Sequence, residues 1–491
     1  MTTQVHDPGL SVLDPDGRVG LERTLRLRRD AALAEQAGAA DALQVAASAG
    51  TVLLPALSLG VLEAVRTLAR EEATEQRLAT LVTGIDGERG LLRMHLVLRQ
   101  LDQAGFIEHG VRAGGELIAV ARPAGFQPFP AAAPLTALVK LSRFAILRAA
   151  DGLLIAQSPR SHLFTELAPA AAPVIGALAD WAEPAGLTAP GLSQPAVAAV
   201  LDLLAASGLL VTDGADADKE DEGPVGQWSA PELWLHARTR GVRLSAGYGG
   251  TYHLRDKFPP APAVRPASPS ALRTVALPQP DLALIARRDP PLTEVIERRR
   301  STREHDDTAP ITASQLGELL YRTARIRRAF PGGDGQELTD HPYPAGGSLG
   351  ELEVYPLITK CTGLEPGLWR YAADRHGLEL VAEPGPPVRA LVDLARTTSL
   401  LRTDPQVVLI VASRFARLNW KYETIAYALT LKHVGVFYQT VYLVGTAMGL
   451  AVCGLGGGDA DDFARASGCD YFDEGSVGEM IIGSAPVGWE S

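Results

Sequence analysis

From Val434 to Gly458 the chain carries no charged side chain. A stretch that long and apolar either crosses a bilayer or lies deep inside a folded domain. Tyr438, Gln439, Thr440, Tyr442 and several glycines interrupt it. Those residues favour the buried alternative, a core helix running into the glycine cluster Gly454–Gly458. A helix buried all round needs a sizeable domain about it. With 491 residues the chain has room for two or three domains.

Composition narrows the class. Cys361, Cys453 and Cys469 are too few and too scattered for a disulfide framework or a zinc site. Met1–Pro8 is polar and does not read as a signal peptide, so a reducing cytoplasm is expected. A net charge of −11 argues against a protein whose main task is gripping nucleic acid.

The N-terminal half contains an echo. Val97–Leu101 leads through Gly105 to Phe106-Ile107, and Val200–Leu204 leads through Gly208 to Leu209-Leu210. Each reads as an amphipathic helix, a glycine stop and a short strand. Helical patterns at Leu57–Arg70 and Val174–Trp181 precede them. Helix, helix, glycine, strand is the pattern of a winged-helix module. After an N-terminal extension (1–49), two such modules are predicted, at 50–122 and 135–212. They suit packing or peptide docking by strand addition better than DNA binding, since no basic stripe accompanies them. Residues 213–270 read as an acidic loop and a Pro-rich linker, with the main domain boundary there. Beyond it the pattern is α+β. Helices are expected at Leu292–Arg300, Ala313–Ala324 and Tyr422–Leu450, and strands at Leu352–Ile358, Val407–Ser413 and Glu479–Ile482.

Several motifs in this second half carry chemistry. Arg298–Arg303 places guanidinium groups and the Ser301 hydroxyl at a helix end, a natural phosphate clamp. His341–Ser348 (HPYPAGGS) offers two glycines over which a flat ligand can approach the backbone. The Gly454–Gly458 cluster lacks the spacing of a dinucleotide fingerprint and is expected to follow a helix rather than a strand. Lys421-Tyr422 puts an amine beside a phenol, and burial that lowered the lysine pKa would let the pair move protons.

In this order the motifs resemble the nitroreductase flavin fold, and more closely its SagB/ThcOx branch, the azoline dehydrogenases of ribosomal peptide biosynthesis. The resemblance is carried by ERRRSTREHD, HPYPAGGSLGELEVYPLI, GLEPGLWRY, NWKYETIAYAL and YQTVYLVGTAMGLAVCGLGGGD. It extends upstream to residues 234–260. It implies an α+β FMN domain over 271–491, a mixed sheet with helices, assembled as a homodimer. Arg299, Ser301 and Arg303, with Arg300 between them, match the FMN phosphate and ribityl contacts. Gly346, Gly347 and Ser348 match the loop passing the isoalloxazine, often from the partner subunit. Gly456 and Gly457 match the loop near its reactive edge, and Gln439 lies in the central helix. Lys421-Tyr422 matches the catalytic pair, as base or base partner. The implied substrate is an azoline-containing precursor peptide, with a cyclodehydratase as a further partner, and with neither nucleic acid nor membrane involved. Small-molecule flavin chemistry on the same fold and a non-catalytic peptide-docking subunit are the rival readings. The sequence departs from the branch at Ala345, Ala428, His433 and Val436, where many relatives carry Ser, Arg, an acid and His.

Overall fold

A computed structural model describes residues 20–36, 39–47, 50–125, 127–130, 134–213, 220–241, 249–267, 271–486 and 488. The chain divides into two compact units, Met1–Ala246 and Gly247–Ser491. Of the N-terminal extension, residues 1–19, 37–38 and 48–49 lie outside the described residues, as do 214–219 of the acidic run.

The first unit is organised on a six-stranded antiparallel sheet. Its order is Leu21–Leu27, Ile107–Ala113, Glu116–Pro123, Leu163–Leu167, Leu153–Gln157, Ile146–Ala150. The helix Arg89–Gln103 ends at a left-handed Gly105, after which the strand Ile107–Ala113 begins. The helix Gln194–Ala206 ends likewise at Gly208, before the strand Leu210–Thr212. Among the described residues only the first of these strands returns as a hairpin. Leu210–Thr212 pairs instead with Val139–Leu141. The sheet runs through both predicted modules, because Glu116–Pro123 pairs with Leu163–Leu167. Two separate apolar cores lie in this unit, one around Val65, Leu101 and Phe106, the other around Val197, Leu201 and Leu204.

The second unit holds a seven-stranded sheet. Its order is Arg273–Ala276, Gly377–Ala382, Gly367–Ala372, Leu352–Ile358, Val407–Arg414, Glu474–Ser484, Leu450–Leu455. Every described pairing is antiparallel, so the sheet is not the mixed one expected. Val407–Arg414 is buried along its whole length because apolar layers cover both faces. Val407, Leu409 and Val411 meet a core shared with the helices Ala313–Ala324 and Ala426–Ala447. Val408, Ile410 and Ala412 meet the helices Pro386–Ser399 and Ala460–Ser467.

Two sequence expectations need correction. The uncharged run is helical only to Ala447; Gly449, at φ +69°, turns the chain into the strand Leu450–Leu455. The glycine cluster therefore follows a strand, and only its spacing separates it from a dinucleotide fingerprint. Among the described residues no helix is long and apolar enough to cross a membrane.

The Pro-rich segment is no free linker. Its carbonyls are taken up by three arginines of the second unit. Arg417, fully buried, donates to Ala261 O at 2.6 Å, Arg414 to Pro262 O at 2.8 Å, and Arg370 to Pro266 O at 3.0 Å. A proline-rich strand offers acceptors but few donors, so guanidinium groups are apt partners for it. Burial pulls Arg417 down to about 10, and the other charges around it do not reverse this. Further on, Arg273–Ala276 is a sheet strand and Leu282–Arg288 a helix.

Candidate active site

The predicted site residues fall into two loci on the second unit. The first gathers the arginine motif and the later glycines around Tyr442. The helix Leu292–Arg298 stops at Arg299, whose guanidinium lies 5.3 Å from the centre of the Tyr442 ring. The Ser301 and Tyr442 hydroxyls are 2.8 Å apart. Gly454 N–H donates to the same Tyr442 oxygen at 2.7 Å, and Thr302 N–H donates to Val452 O at 2.9 Å. One phenol thus ties the clamp to the head of the glycine loop.

Arg300 and Arg303 are exposed and Arg299 is half-buried. Among the described residues neither Arg299 nor Arg303 is paired with a carboxylate, so both guanidinium groups are open to an anion. Gly456 and Gly457 are exposed, with open space where side chains would stand. Gly458 differs, since a methyl group there would collide with the Glu479 carboxylate. Burial raises the Glu479 carboxyl above its ordinary range. Gln439, also exposed, lies one turn before Tyr442 on the same helix face.

The second locus joins the Lys-Tyr pair to the earlier glycine loop. A methyl group on Gly347 would lie 2.9 Å from the Tyr422 hydroxyl and 3.6 Å from Lys421 Nζ, so both side chains lie close against that glycine. Gly347 and Ser348 have left-handed backbones, φ +65° and +55°. Lys421 Nζ stands 3.4 Å from Asp334 Oδ2, an oxygen that also accepts from the Tyr252 hydroxyl at 2.8 Å. Tyr252 N–H donates to Lys421 O at 3.0 Å, and Gly250 bridges to Tyr422 as a short antiparallel pair. The segment preceding the sheet thus lies over the pair.

These contacts reverse one expectation. Burial alone would lower Lys421, but the Tyr252 hydroxyl, the flanking phenols and Asp334 outweigh it and raise the pKa above the ordinary lysine value. Asp334 moves in the complementary direction. Burial would raise it, and the bonds from Tyr252, the Gln336 amide and Lys421 lower it. Lys421 is therefore an ammonium at neutral pH rather than a free base.

Sequence reasoning missed Tyr252, Asp334, Glu351 and Tyr442. Asp334 sits in a Gly-Gly-Asp-Gly turn between the strands Arg328–Pro331 and Glu337–Asp340, where turn chemistry alone explains it. Glu351 is fully buried, with Oε1 2.6 Å from His433 Nδ1. The other imidazole nitrogen accepts the Gly346 amide proton at 2.7 Å. His433 and Tyr442 lie nine positions apart on the central helix Ala426–Ala447. That is about 13 Å along the axis and about half a turn round it, so the two loci take opposite faces of one helix.

Residues 296–489 match the nitroreductase family, and residues 139–245 match the cyanobactin oxidase ThcOx family. A protein of Methanocaldococcus jannaschii, assigned by name to the nitroreductases, is 26% identical over 167 residues, which are 34% of this chain and 78% of that protein. Among solved structures, a nitroreductase-type protein of Ralstonia eutropha is 24% identical, covering 47% of this chain and 99% of its own, with a TM-score of 0.35. The microcin synthetase McbBCD complex of E. coli, with truncated pro-MccB17 bound, contains a chain 18% identical; the match covers 50% of this chain and 85% of that one, with a TM-score of 0.32. A nitroreductase-type protein of Exiguobacterium sibiricum in complex with FMN is 15% identical over 40% of this chain and 89% of its own, with a TM-score of 0.27. The nitroreductase match spans the clamp, both glycine loops and the Lys-Tyr pair, and the oxidase match lies ahead of it, so the chain carries a nitroreductase-family region preceded by a region matching the ThcOx oxidases.

Proposed function

We propose that the chain is an FMN-dependent dehydrogenase that oxidises thiazoline or oxazoline rings of a ribosomally made peptide to thiazoles or oxazoles. The observation that carries this reading is the packing of Lys421 and Tyr422 against Gly347. It sets a charged amine and a phenol at a glycine surface on which a flat ring can lie.

The residues present fit FMN. Arg299 and Arg303 are cations open to a phosphate, with the Ser301 hydroxyl between them. Gly347, Gly456 and Gly457 leave flat, exposed backbone for a planar ring system. Because the two loci face opposite sides of the central helix, a homodimer that brings one chain's clamp to the other chain's Gly347 would complete the site. FMN, when bound, supplies the two-electron acceptor.

The chain's own part is to hold the substrate ring and take its proton. Tyr422 Oη is the acceptor in this reading. The Lys421 ammonium, paired with Asp334, stands over the Tyr422 ring, 5.8 Å from its centre. The N-terminal unit, whose residues 139–245 carry the oxidase-family match, is the proposed docking module for the precursor peptide. A cyclodehydratase is the proposed source of the azoline substrate.

Mass spectrometry of the purified protein with an azoline peptide tests this. The expected result is a yellow protein releasing FMN and a loss of about 2 Da per ring, two hydrogen masses. A colourless protein that binds the peptide without changing its mass would point to a docking subunit. Rapid bleaching of the flavin by NADPH, with the peptide unchanged, would point to small-molecule chemistry.

A further inference from the structure

Glu351 lies between the glycine loop and the strand Leu352–Ile358, fully buried, with Oε1 2.6 Å from His433 Nδ1. The imidazole is itself only 4% exposed. Gly346 N–H donates to Nε2 at 2.7 Å, so that nitrogen carries no proton. The ring's proton is therefore on Nδ1, where it donates to the carboxylate. One imidazole holds both ends of the segment from Gly346 to Glu351.

That segment needs holding. Within it Gly347, Ser348 and Gly350 all have left-handed backbones, at φ +65°, +55° and +55°. Ser348 is not a glycine and pays a steric cost there. Gly350 is packed so tightly that a methyl group would overlap the Thr339 hydroxyl and the His341 ring. The position of Gly347 fixes the surface next to the Tyr422 hydroxyl, so the imidazole sets the spacing between the ring-facing backbone and the proposed proton acceptor.

We propose that His433 and Glu351 form a positioning pair for the loop Gly346–Ser348. Neither touches the reacting atoms: His433 acts through the Gly346 amide, and Glu351 acts by fixing the His433 tautomer. Its link to catalysis rests on the flavin reading above, whereas its structural core does not.

The test compares His433→Phe, which keeps a ring but removes the acceptor, with His433→Gln, whose amide oxygen can take the place of Nε2. Hydrogen exchange at the Gly346 amide is measured on the full chain, together with the FMN dissociation constant. In the Phe variant, exchange at Gly346 is expected to rise about tenfold or more and FMN binding to weaken about tenfold, as for a partly buried donor left without its acceptor. The Gln variant should restore most of both. If His433→Phe does not fold, Glu351→Gln is read instead, with a rise in Gly346 exchange of about threefold or more expected. Unchanged exchange in the variant that folds, or Gln as damaging as Phe, overturns the proposal. Wild-type protein that takes up no flavin would defeat the functional reading, and the exchange result would still decide the pair.

Discussion

Arg299 and Ser301 stand near the surface beside a single organising phenol, whereas Lys421 and Tyr422 stand half-buried within a ring of partners. At the first locus the cations are left open, and Tyr442 and the Thr302–Val452 backbone hydrogen bond fasten the chain behind them. At the second, Asp334, Tyr252 and the backbone of the preceding segment fix the lysine before any ligand arrives. In the proposed reading the difference separates binding from reaction. An open guanidinium gains most of its interaction energy when a phosphate arrives. A proton-handling group needs its charge state set in advance.

The sharpest way to break this contrast is Lys421→Ala. If the second locus serves reaction, ring oxidation should fall about 10²- to 10⁴-fold, the usual scale for losing a positioned proton-handling group. FMN content should hold. Turnover on an azoline peptide and the flavin absorbance of the same sample give both numbers. Full activity in the variant would remove the lysine from the mechanism. Loss of flavin together with activity would mean that the two loci are not functionally distinct.

Arg299→Ala makes the converse test. Removing a charge-assisted phosphate contact should raise the FMN dissociation constant about 10- to 100-fold. Turnover at saturating FMN should change by about threefold or less. An effect on turnover alone would place Arg299 with the reacting groups.

The contrast also explains what the sequence disclosed. Residues proposed for binding come as local clusters, Arg-Arg-Arg-Ser-Thr-Arg or Gly-Gly-Gly, and are legible in a linear reading. Tuned reactive residues depend on partners far along the chain. Asp334 lies 87 positions from Lys421, inside a turn whose Gly-Gly-Asp-Gly sequence already has a backbone explanation. Tyr252 lies further off, in the segment read as linker. The expectation of a lowered lysine pKa followed from burial, the one term visible from sequence, while Asp334 and Tyr252 reversed its sign. The fold shows the same limit. Ala313–Ala324 is a helix with the predicted bounds, because its amphipathic period and Thr312 cap are local. Leu450–Leu455 was unreadable as a strand because an uncharged apolar run has no period to separate helix from strand.

Asp334→Asn sharpens the comparison at the second locus. The carboxylate is one of the interactions that raise Lys421, so its loss lets burial pull the lysine down. In the wild type the ammonium persists as pH rises to and beyond the ordinary lysine value. In the variant it is lost at lower pH, and the alkaline limb of the rate profile should move in that direction. The loss in kcat/KM should therefore grow as pH rises towards the ordinary lysine value, while FMN affinity stays level. An unmoved alkaline limb would mean that the lysine charge does not limit the rate.

Tyr442→Phe should give the smallest effect, and it tests whether the first locus is as simple as it looks. The ring remains, so the stacking of Arg299 over it survives. Two hydrogen bonds go, one with the Ser301 hydroxyl and one from the Gly454 amide. Ser301 is exposed and can turn to water, so little is lost on that side. The Gly454 amide is only partly buried, and leaving it unpaired costs about 1 kcal/mol. FMN affinity should therefore weaken about three- to fivefold, and the pH profile should stay where it was. Titration of the apoprotein with FMN and the rate profile of the loaded enzyme read the two quantities separately. A shift of the pH profile would show that the phenol between clamp and glycine loop takes part in proton handling, and the division between the two loci would fail at that residue.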